Sequence, residues 1–171
     1  MDALVTKMVL HWGEMGARWG INRTAAQIHA LLHFTGRAWP ADEICTELGV
    51  ARSHVSNSLK ELQSWGVVHP LHIMGERREH FQSIKGIWEL FELLLDERKR
   101  REVDPTLKAL REATAAMGGA QEVDPQFKTA VAEMLSFFEI MDAWYGDIRR
   151  MPLETRVKLV KSGAKLARWL R

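Results

Sequence analysis

Between residues 41 and 65 the hydrophobic positions follow a helical spacing in two short segments. Over residues 41–48 one side of the predicted helix is apolar and carries Ile44, Cys45 and Leu48. Gly49 ends this helix, because glycine adopts the left-handed conformation that a tight turn between crossed helices requires. Over residues 51–65 the spacing i, i+4, i+7 forms a second apolar stripe at Val55, Leu59 and Leu62. The pattern therefore predicts a helix-turn-helix whose second helix packs one face against a core.

The opposite face of the second helix is polar and rich in hydrogen-bond donors. It carries Ser53, Ser56, Asn57 and Lys60, with Arg52 and His54 on its flanks. Side chains of this kind suit a helix that enters the major groove of DNA, which is about 12 Å wide. We therefore expect this face to contact nucleic acid.

An extended run follows the helix pair. It begins at Val67, and Gly75 turns the chain back toward Phe81. Arg77 and Arg78 therefore lie at or near the tip of a hairpin, beside the second helix. Two helices followed by such a hairpin make a winged helix-turn-helix, and this order of elements predicts double-stranded DNA as the partner.

Two helices are predicted ahead of this unit. Residues 1–18 form the first, which contains glycines at a spacing that permits close helix packing: Gly13, Gly16 and Gly20. Residues 23–34 form the second, and Asn22 is its predicted N-terminal cap. The apolar stripe of this second helix consists of Ile28, Leu31 and Leu32.

Beyond residue 85 the pattern is helical. A broad apolar face, wider than a lone surface helix requires, predicts a dimer interface at Ile87, Trp88, Phe91, Leu94 and Leu95. The tetrapeptide Glu-Val-Asp-Pro occurs at 102–105 and again at 122–125, and each copy predicts a helix start capped by its aspartate. These helices are predicted at about 105–117 and 125–145, and a last helix starts near Pro152.

The predicted fold is mainly α with a small β-wing. Residues 1–84 form a winged helix-turn-helix DNA-binding domain with its N-terminal helix, and residues 85–171 form a helical dimerisation and effector region. A chain of 171 residues with 46% hydrophobic content is typical of a globular protein. The single Cys45 on an apolar helix side indicates a reducing compartment. The sequence contains no run of 18 uncharged apolar residues, so no membrane span is predicted.

Three stretches together resemble a known family. They read GARWGINRTAAQIHALL at 16–32, ADEICTELGVARSHVSNSLKELQSWGVV at 41–68 and GERREHF at 75–81. These residues resemble the GbsR-type branch of the MarR-like winged-helix transcriptional regulators, over roughly the first 100 residues. The most specific part of this resemblance is the Arg-Thr-Ala-Ala run at residues 23–26 in combination with the Gly-x-Arg-Arg wing at residues 75–78. The resemblance implies a homodimeric, cytoplasmic, ligand-responsive regulator of transcription.

Charge is distributed unevenly along the chain. Residues 23–85 contain seven basic and six acidic residues, which leave a net charge of +1, a weak field for a DNA-binding unit. Six of the seven histidines fall between His29 and His80, so protonation near or below pH 6.5 adds positive charge there.

The last helix is strongly basic: from Arg149 onward there are eight basic residues and one acidic residue, Glu154. This last helix has an apolar side that includes Ala164 and Ala167, and three interpretations remain open: a solvated face, contact with DNA phosphates, or contact with a membrane surface.

Histidine and tryptophan patterns raise the possibility of a metal or small-molecule site. His29 and His33 have a spacing that can hold a metal, but no His-Glu-x-x-His pattern completes it, so no metal is expected. The seven tryptophans, with Trp169 the last of them, indicate either core packing or an aromatic cavity for a small-molecule effector. The first candidates for such a lining are Trp12, Trp19 and Trp88. No phosphate loop, nucleophile elbow or Cys-x-x-Cys pair is present, so neither an enzyme nor a cofactor is predicted.

The predicted function is a transcriptional repressor that binds a pseudo-palindromic operator as a homodimer. Base edges are read by Ser53, His54, Ser56 and Asn57. Phosphates or the minor groove are contacted by Arg52, Lys60, Arg77 and Arg78. The principal alternative is a winged helix that docks another protein without sequence-specific DNA binding, which the weak local charge favours. A helical ligand-binding or metal-sensing protein is a third interpretation.

Overall fold

The chain forms two compact units. The computed structural model describes residues 1–119 and 123–169, with the side chains of the last helix described as far as residue 163. The units are Met1–Leu95 and Asp96–Arg171. The first unit extends beyond residue 84, the end of the predicted DNA-binding domain, because Leu90 is buried in its core.

The first unit contains the elements of a winged helix. Its helices are α1 (Ala3–Arg18), α2 (Arg23–Thr35), α3 (Ala41–Leu48), α4 (Arg52–Ser64) and the start of α5 (Ile87–Arg98). Its strands are β1 (Trp39–Pro40), β2 (Val68–Leu71) and β3 (His80–Ser83), which form an antiparallel sheet in the order β1-β3-β2. The predicted fold class is confirmed, with α3 and α4 as the helix pair and the β2–β3 hairpin as the wing.

The core of the first unit is built around α2. The predicted stripe of Ile28, Leu31 and Leu32 is at most 1% exposed. Burial extends well beyond that stripe and includes Ala25, Ala26, His29 and Ala30. The helix contacts α1, α3, α4 and β3, so most of its circumference is covered. A helix buried on several sides fixes the position of each neighbour that packs on it.

Close packing between α1 and α2 depends on glycine. A Cβ atom on Gly16 would lie 2.5 Å from the Cβ of Ala26, a distance that real Cβ atoms do not adopt. A Cβ on Gly13 would meet the flexible side chain of Gln27 instead. The prediction of close packing is therefore right for these two glycines and wrong for Gly20, which follows α1 and has nothing within 4 Å of its Cβ position. Gly20 instead adopts a φ of +78° beyond the helix end.

The helix α5 does not present all five predicted dimer residues to solvent. Ile87 is 55% exposed, Phe91 51% and Leu95 36%, and their i, i+4, i+8 spacing forms one exposed stripe. Trp88 is half-buried. Leu94 is partly buried and packs against the core of the first unit, so it belongs to that core. The predicted face therefore divides into an exposed stripe and a core-facing side.

The second unit contains three helices within the described residues. A π-helical segment, Lys99–Val103, leads into α6 (Asp104–Met117), and α7 (Pro125–Arg150) and α8 (Leu153–Trp169) follow. The helix α7 continues beyond the predicted end at residue 145. Leu107, Leu110 and Val131 are buried, which places a small apolar contact between α6 and α7.

The two Glu-Val-Asp-Pro copies differ in structure. Asp124 caps α7, since its side chain accepts a hydrogen bond of 2.8 Å from the amide of Gln126. Asp104 does not cap α6, because the preceding π-helical segment already has helical backbone angles and the Asp104 carboxylate binds Lys99 instead. The prediction of a cap at Asp104 is therefore wrong. Residue 122 of the second copy lies outside the described residues, as do the side chains of Ala164, Ala167 and Trp169.

A buried histidine pair lies on α2. The ring of His29 is stacked on that of His33 with centroids 5.5 Å apart, and its Nε2 lies 3.2 Å from the hydroxyl oxygen of Ser83. Desolvation by burial, and secondarily the charge of His33, lower the pKa of His29 to about 4. The prediction that this histidine adds positive charge near pH 6 is therefore wrong. Among the described residues no third histidine, cysteine or carboxylate completes a metal site with the pair.

We predict that His29 makes folding stability depend on pH. Its folded pKa of about 4 lies below the ordinary histidine value of 6.5, so the unfolded chain binds more protons between these values. The free energy of unfolding is therefore highest above pH 6.5 and falls by about 3 kcal/mol as pH is lowered to 4. Chemical denaturation at several pH values measures this loss.

The variant His29→Gln should lose this component of the pH dependence. Exposed His69 provides a matched control, because His69→Gln leaves the buried pair intact. An identical pH dependence in wild type and His29→Gln would show that another group is responsible.

Candidate nucleic-acid interface

The outer face of α4 is the first component of the candidate interface. All six polar residues predicted to contact DNA are exposed there: Arg52, Ser53, His54, Ser56, Asn57 and Lys60. The inner face is buried to at least 98% at Val55, Leu59 and Leu62. Ser58 is buried beside these residues and does not belong to the exposed face. The helix therefore presents one continuous polar surface.

The turn before α4 sets the start of this surface. Gly49 adopts a φ of +64°, and the amide of Val50 donates to the carbonyl of Cys45 across the end of α3. The residue that precedes α4, Ala51, offers no side-chain cap, and the first turn of α4 contains no acid. Amides at such a helix start can bind a phosphate oxygen. The first turn of α4 is thus suited to an anionic backbone.

The wing lies next to α4. Its strands pair in the register Val68↔Ser83 to Leu71↔His80, and the chain reverses at Met74 and Gly75. Arg77 follows this reversal on the returning arm and is exposed. Among the described residues Arg77 makes no ion pair, so its guanidinium remains available.

A groove of about 520 Å³ separates α4 from the wing. Four basic side chains line it, namely Arg52 and Lys60 of α4 and Arg77 and Arg78 of the wing, together with the acids Asp42 and Glu79. Gln63 also lines the groove and is not among the predicted contact residues. Its position seven residues after Ser56, on the same helical face, is the signal that could have identified it. The groove joins the α4 face to the wing in one concave surface.

Arg78 differs from Arg77 because its charge is already engaged. Its Nη1 lies 3.2 Å from a carboxylate oxygen of Asp42 and 3.2 Å from one of Glu43, both in the first turn of α3. Its Nη2 lies 3.3 Å from a carboxylate oxygen of Glu76 in the wing. Three acidic side chains therefore surround one guanidinium and connect the wing to α3.

These contacts change the electrostatics of the groove. Desolvation raises the pKa of Asp42, but it is outweighed by the hydrogen bond and the charge of Arg78 together with hydrogen bonds from the backbone of Asp42 and Glu43, which lower that pKa below its usual value. The hydrogen bond to Asp42 in turn raises the pKa of Arg78. Asp42 also lines the groove, so Arg78 partly cancels an acidic charge beside the basic residues. No local sequence pattern indicates this contact, since its partners are 36 residues apart.

The tryptophans do not form the predicted cavity. Trp12 and Trp19 line a small apolar cavity in the first unit, but the third ring there is that of Trp65, and Trp88 is absent from the lining. The cavity measures about 30 Å³, which is room for about one water molecule. Small-molecule sites usually measure about 300–1,000 Å³. In this conformation Trp65 is a core residue, Trp12 packs against the core and Trp19 is about half exposed.

The described helices include none that is both long and apolar enough to cross a bilayer.

The chain is similar in sequence to the HTH-type transcriptional repressor GbsR of Bacillus subtilis (strain 168). The identity is 23% over 136 residues, which cover 78% of this chain and 75% of that protein. In fold it is similar to the crystal structure of a transcriptional regulator, with a TM-score of 0.64 and 21% identity over 84% of this chain and 93% of the other. The chain therefore has a winged-helix fold, which it shares with that solved transcriptional regulator. No family model matches the sequence.

A more distant fold likeness is to the transcriptional regulator Tm0710 from Thermotoga maritima. Its TM-score is 0.40 at 17% identity, over 83% of this chain and 92% of the other. The sequence relative is named as a transcriptional repressor, and the structure of TM-score 0.64 is that of a transcriptional regulator. The resemblance that the motifs at 16–32, 41–68 and 75–81 indicated is thereby supported.

We predict that Arg78→Ala raises the pKa of Asp42. The substitution removes the hydrogen bond and the positive charge that lower this pKa, so the carboxylate becomes easier to protonate. An NMR titration of the side-chain carboxyl groups measures the change. Arg77→Ala is the matched control, because it removes a neighbouring arginine that has no ion pair within the described part of the chain. An unchanged pKa of Asp42 in Arg78→Ala would show that the contact between α3 and the wing does not form in solution.

Proposed function

We propose that this chain is a DNA-binding transcriptional regulator that binds a pseudo-palindromic site as a homodimer. The observation that carries the proposal is the exposed polar face of α4, which adjoins a groove lined by four basic side chains. A helix with this face fits a major groove about 12 Å wide. The wing beside it reaches the adjacent sugar-phosphate backbone.

The contacts are assigned by the position and chemistry of each side chain. Base edges are read by Ser53, His54, Ser56 and Asn57, which are exposed and short or planar. Phosphates are bound by Arg52, Lys60 and Arg77, which converge on the groove. Arg78 is assigned a positioning role, since three carboxylates already surround its guanidinium. This assignment replaces the direct phosphate contact that the sequence predicted for Arg78.

Dimerisation is proposed because one copy carries little charge for binding DNA. Residues 23–85 have a net charge of +1, so phosphate contacts alone give a single copy weak affinity. Two copies place their recognition helices about 34–36 Å apart, one turn of DNA, and so bind two half-sites together. The exposed stripe of Ile87, Phe91 and Leu95 supports a contact between copies. A repressor role agrees with the sequence likeness to GbsR.

Control by a small molecule stays a prediction. The aromatic cavity of about 30 Å³ does not accommodate an organic effector in this conformation. An effector that binds one arrangement of the dimer more tightly than another shifts the dimer toward that arrangement. The resulting change in DNA affinity is set by the difference between the effector's affinities for the two arrangements.

Selection of bound sequences from a random duplex pool tests the proposal. We expect enrichment of an inverted repeat whose half-sites are about 10 base pairs apart, centre to centre. Failure to enrich any sequence would contradict the proposal and favour a winged helix that docks another protein.

We predict that two substitutions at the interface affect DNA binding in different ways. Arg77→Ala weakens binding to all sequences and reduces the slope of log affinity against log salt concentration by about 1, because it removes one phosphate contact. Asn57→Ala relaxes the preference at one base position by about 1–3 kcal/mol. Fluorescence anisotropy over a salt series, on the selected site and on single-base variants, measures both effects.

A control for the loss of charge is Lys108→Ala on exposed α6. It removes the same charge outside the candidate interface and should leave the salt slope unchanged. If Arg77→Ala and Asn57→Ala both bind as the wild type does, the assigned interface is wrong.

A further inference from the structure

The tip of the wing exposes apolar side chains. Met74 is 101% exposed, and Leu71 and Ile73 just before it are 41% and 40% exposed. Residues at the tip of a hairpin are usually Gly, Pro, Asn, Asp or Ser, because these suit the backbone of a turn. Met74 packs against no residue of the core, so its side chain adds no burial to the folded unit. Its whole apolar surface is available to a partner.

A closed turn holds Met74 at the tip. The amide of Glu76 donates a hydrogen bond of 3.0 Å to the carbonyl of Ile73 across the turn. Gly75 has a φ of +85°, whereas Met74 has a negative φ. A positive φ at the third residue alone is the pattern of a type II turn, whose second residue is then Met74. The backbone that carries the methionine is therefore fixed.

The arms of the wing are anchored close to this turn. The last ladder pair is Leu71↔His80, so Met74 lies three residues beyond the sheet, a reach of about 10 Å at 3.3 Å per residue. The returning arm is tied to α3, because Nη1 of Arg78 lies 3.2 Å from carboxylate oxygens of both Asp42 and Glu43. The DNA minor groove is about 7.5 Å deep, so a tip of this reach extends to its floor.

Charge beside the tip favours a nucleic acid over a protein as the partner. Arg77 follows the turn and lines the groove that Arg52 and Lys60 also line. The acid nearest to the tip, Glu76, is paired with Arg78 at 3.3 Å. The apolar tip therefore continues a surface that already carries available positive charge. A specific protein interface buries about 800 Å² per partner, which a few aliphatic side chains on one turn do not supply.

We propose that Met74 enters the DNA minor groove as an apolar wedge and partly unstacks one base step. The inference rests on the DNA binding of the proposed function and adds to it a contact that depends on how easily the DNA deforms. A methionine side chain is unbranched, so it fits a groove about 6 Å wide. Burial of its apolar surface offsets part of the cost of unstacking. Each wing then bends the duplex toward the major groove.

The wedge gives the protein a sequence preference that requires no hydrogen bond to a base. Pyrimidine–purine steps such as TA and CA unstack and kink more easily than other steps. A site that has such a step under each wing is therefore bound more tightly than one that lacks it. We expect these steps at symmetric positions in the sequences that the wild-type chain selects, in addition to the bases that α4 contacts.

Replacement of the methionine by a polar side chain of similar length tests the wedge. We expect Met74→Gln to lower affinity for the selected site about 10-fold, because a polar side chain gains little from burial. The slope of log affinity against log salt concentration should not change, since no charge is removed. Met74→Leu should bind nearly as the wild type does, because leucine is apolar and of similar size. Fluorescence anisotropy over a salt series measures both quantities.

The control for the substitution itself is Met151→Gln, which makes the same change at an exposed methionine outside the wing. It should leave DNA affinity unchanged. Thermal unfolding verifies that the variants fold, as expected for a side chain without core contacts. If Met74→Gln binds the selected site as tightly as the wild type does, the proposal is wrong.

Unstacking is measured directly with 2-aminopurine, whose fluorescence rises when a neighbouring base no longer stacks on it. The probe is placed at the pyrimidine–purine step under the wing, and energy transfer between dyes at the duplex ends reports bending. Wild type and Met74→Leu should raise the fluorescence and bring the ends closer, whereas Met74→Gln should do neither. Equal responses from the three proteins would overturn the wedge.

These measurements separate the wedge from the proposed function. If selection enriches an inverted repeat while Met74→Gln bends that site as the wild type does, the regulator stands and the wedge is wrong. If no sequence is enriched while the wild type bends random duplexes and Met74→Gln does not, sequence-specific regulation fails and the wedge stands.

Discussion

Burial of α2 on most of its circumference is the constraint on which the arrangement of the first unit depends. The two alanines at its start let α1 approach, and Gly16 of α1 makes room for the Cβ of Ala26. Its later turns contact α4 and β3, where His29 lies beside Ser83. Because one buried helix contacts both the recognition helix and the wing, their relative position is set by core packing, which tolerates little change in volume. The polar surface of α4 can therefore vary without disturbing the frame that holds it.

The wing is attached to this frame by two different kinds of interaction. The sheet pairs Trp39 with Phe81, so β1 and the start of α3 lie next to the base of the wing. Arg78 then joins the wing to Asp42 and Glu43 through ion pairs that remain partly exposed. Exposed ion pairs contribute little to stability, so the sheet and core hold the wing and Arg78 mainly defines local charge. The acids of α3 are neutralised in part, and the positive charge available to a phosphate is that of Arg77, Arg52 and Lys60.

Local pattern was sufficient to predict most of the fold from the sequence. The helix-turn-helix, the wing and Asn22 as a cap depend on residue spacing and turn chemistry over a few positions, and all are present. The six polar residues of α4 are exposed for the same reason, since the apolar stripe at Val55, Leu59 and Leu62 fixes the opposite face. Contacts between distant residues could not be predicted in this way. Arg78 with Asp42, Trp65 in place of Trp88 in the aromatic cavity, and Leu94 in the core all depend on how the elements pack. The capping role predicted for Asp104 failed because its environment includes a π-helical segment that residue spacing does not reveal.

Affinity for DNA in the proposed function depends more on the pairing of two copies than on the strength of either one. Because residues 23–85 have a net charge of only +1, phosphate contacts supply little binding affinity to a single copy. When two copies are joined, binding of the second half-site becomes intramolecular, at an effective concentration that reaches the millimolar range for short connections. Any change that separates the copies therefore lowers DNA affinity without altering a single residue of α4. Regulation of such a protein can act on its dimer contacts, where large apolar side chains are exposed on α5, while the base-reading surface stays constant.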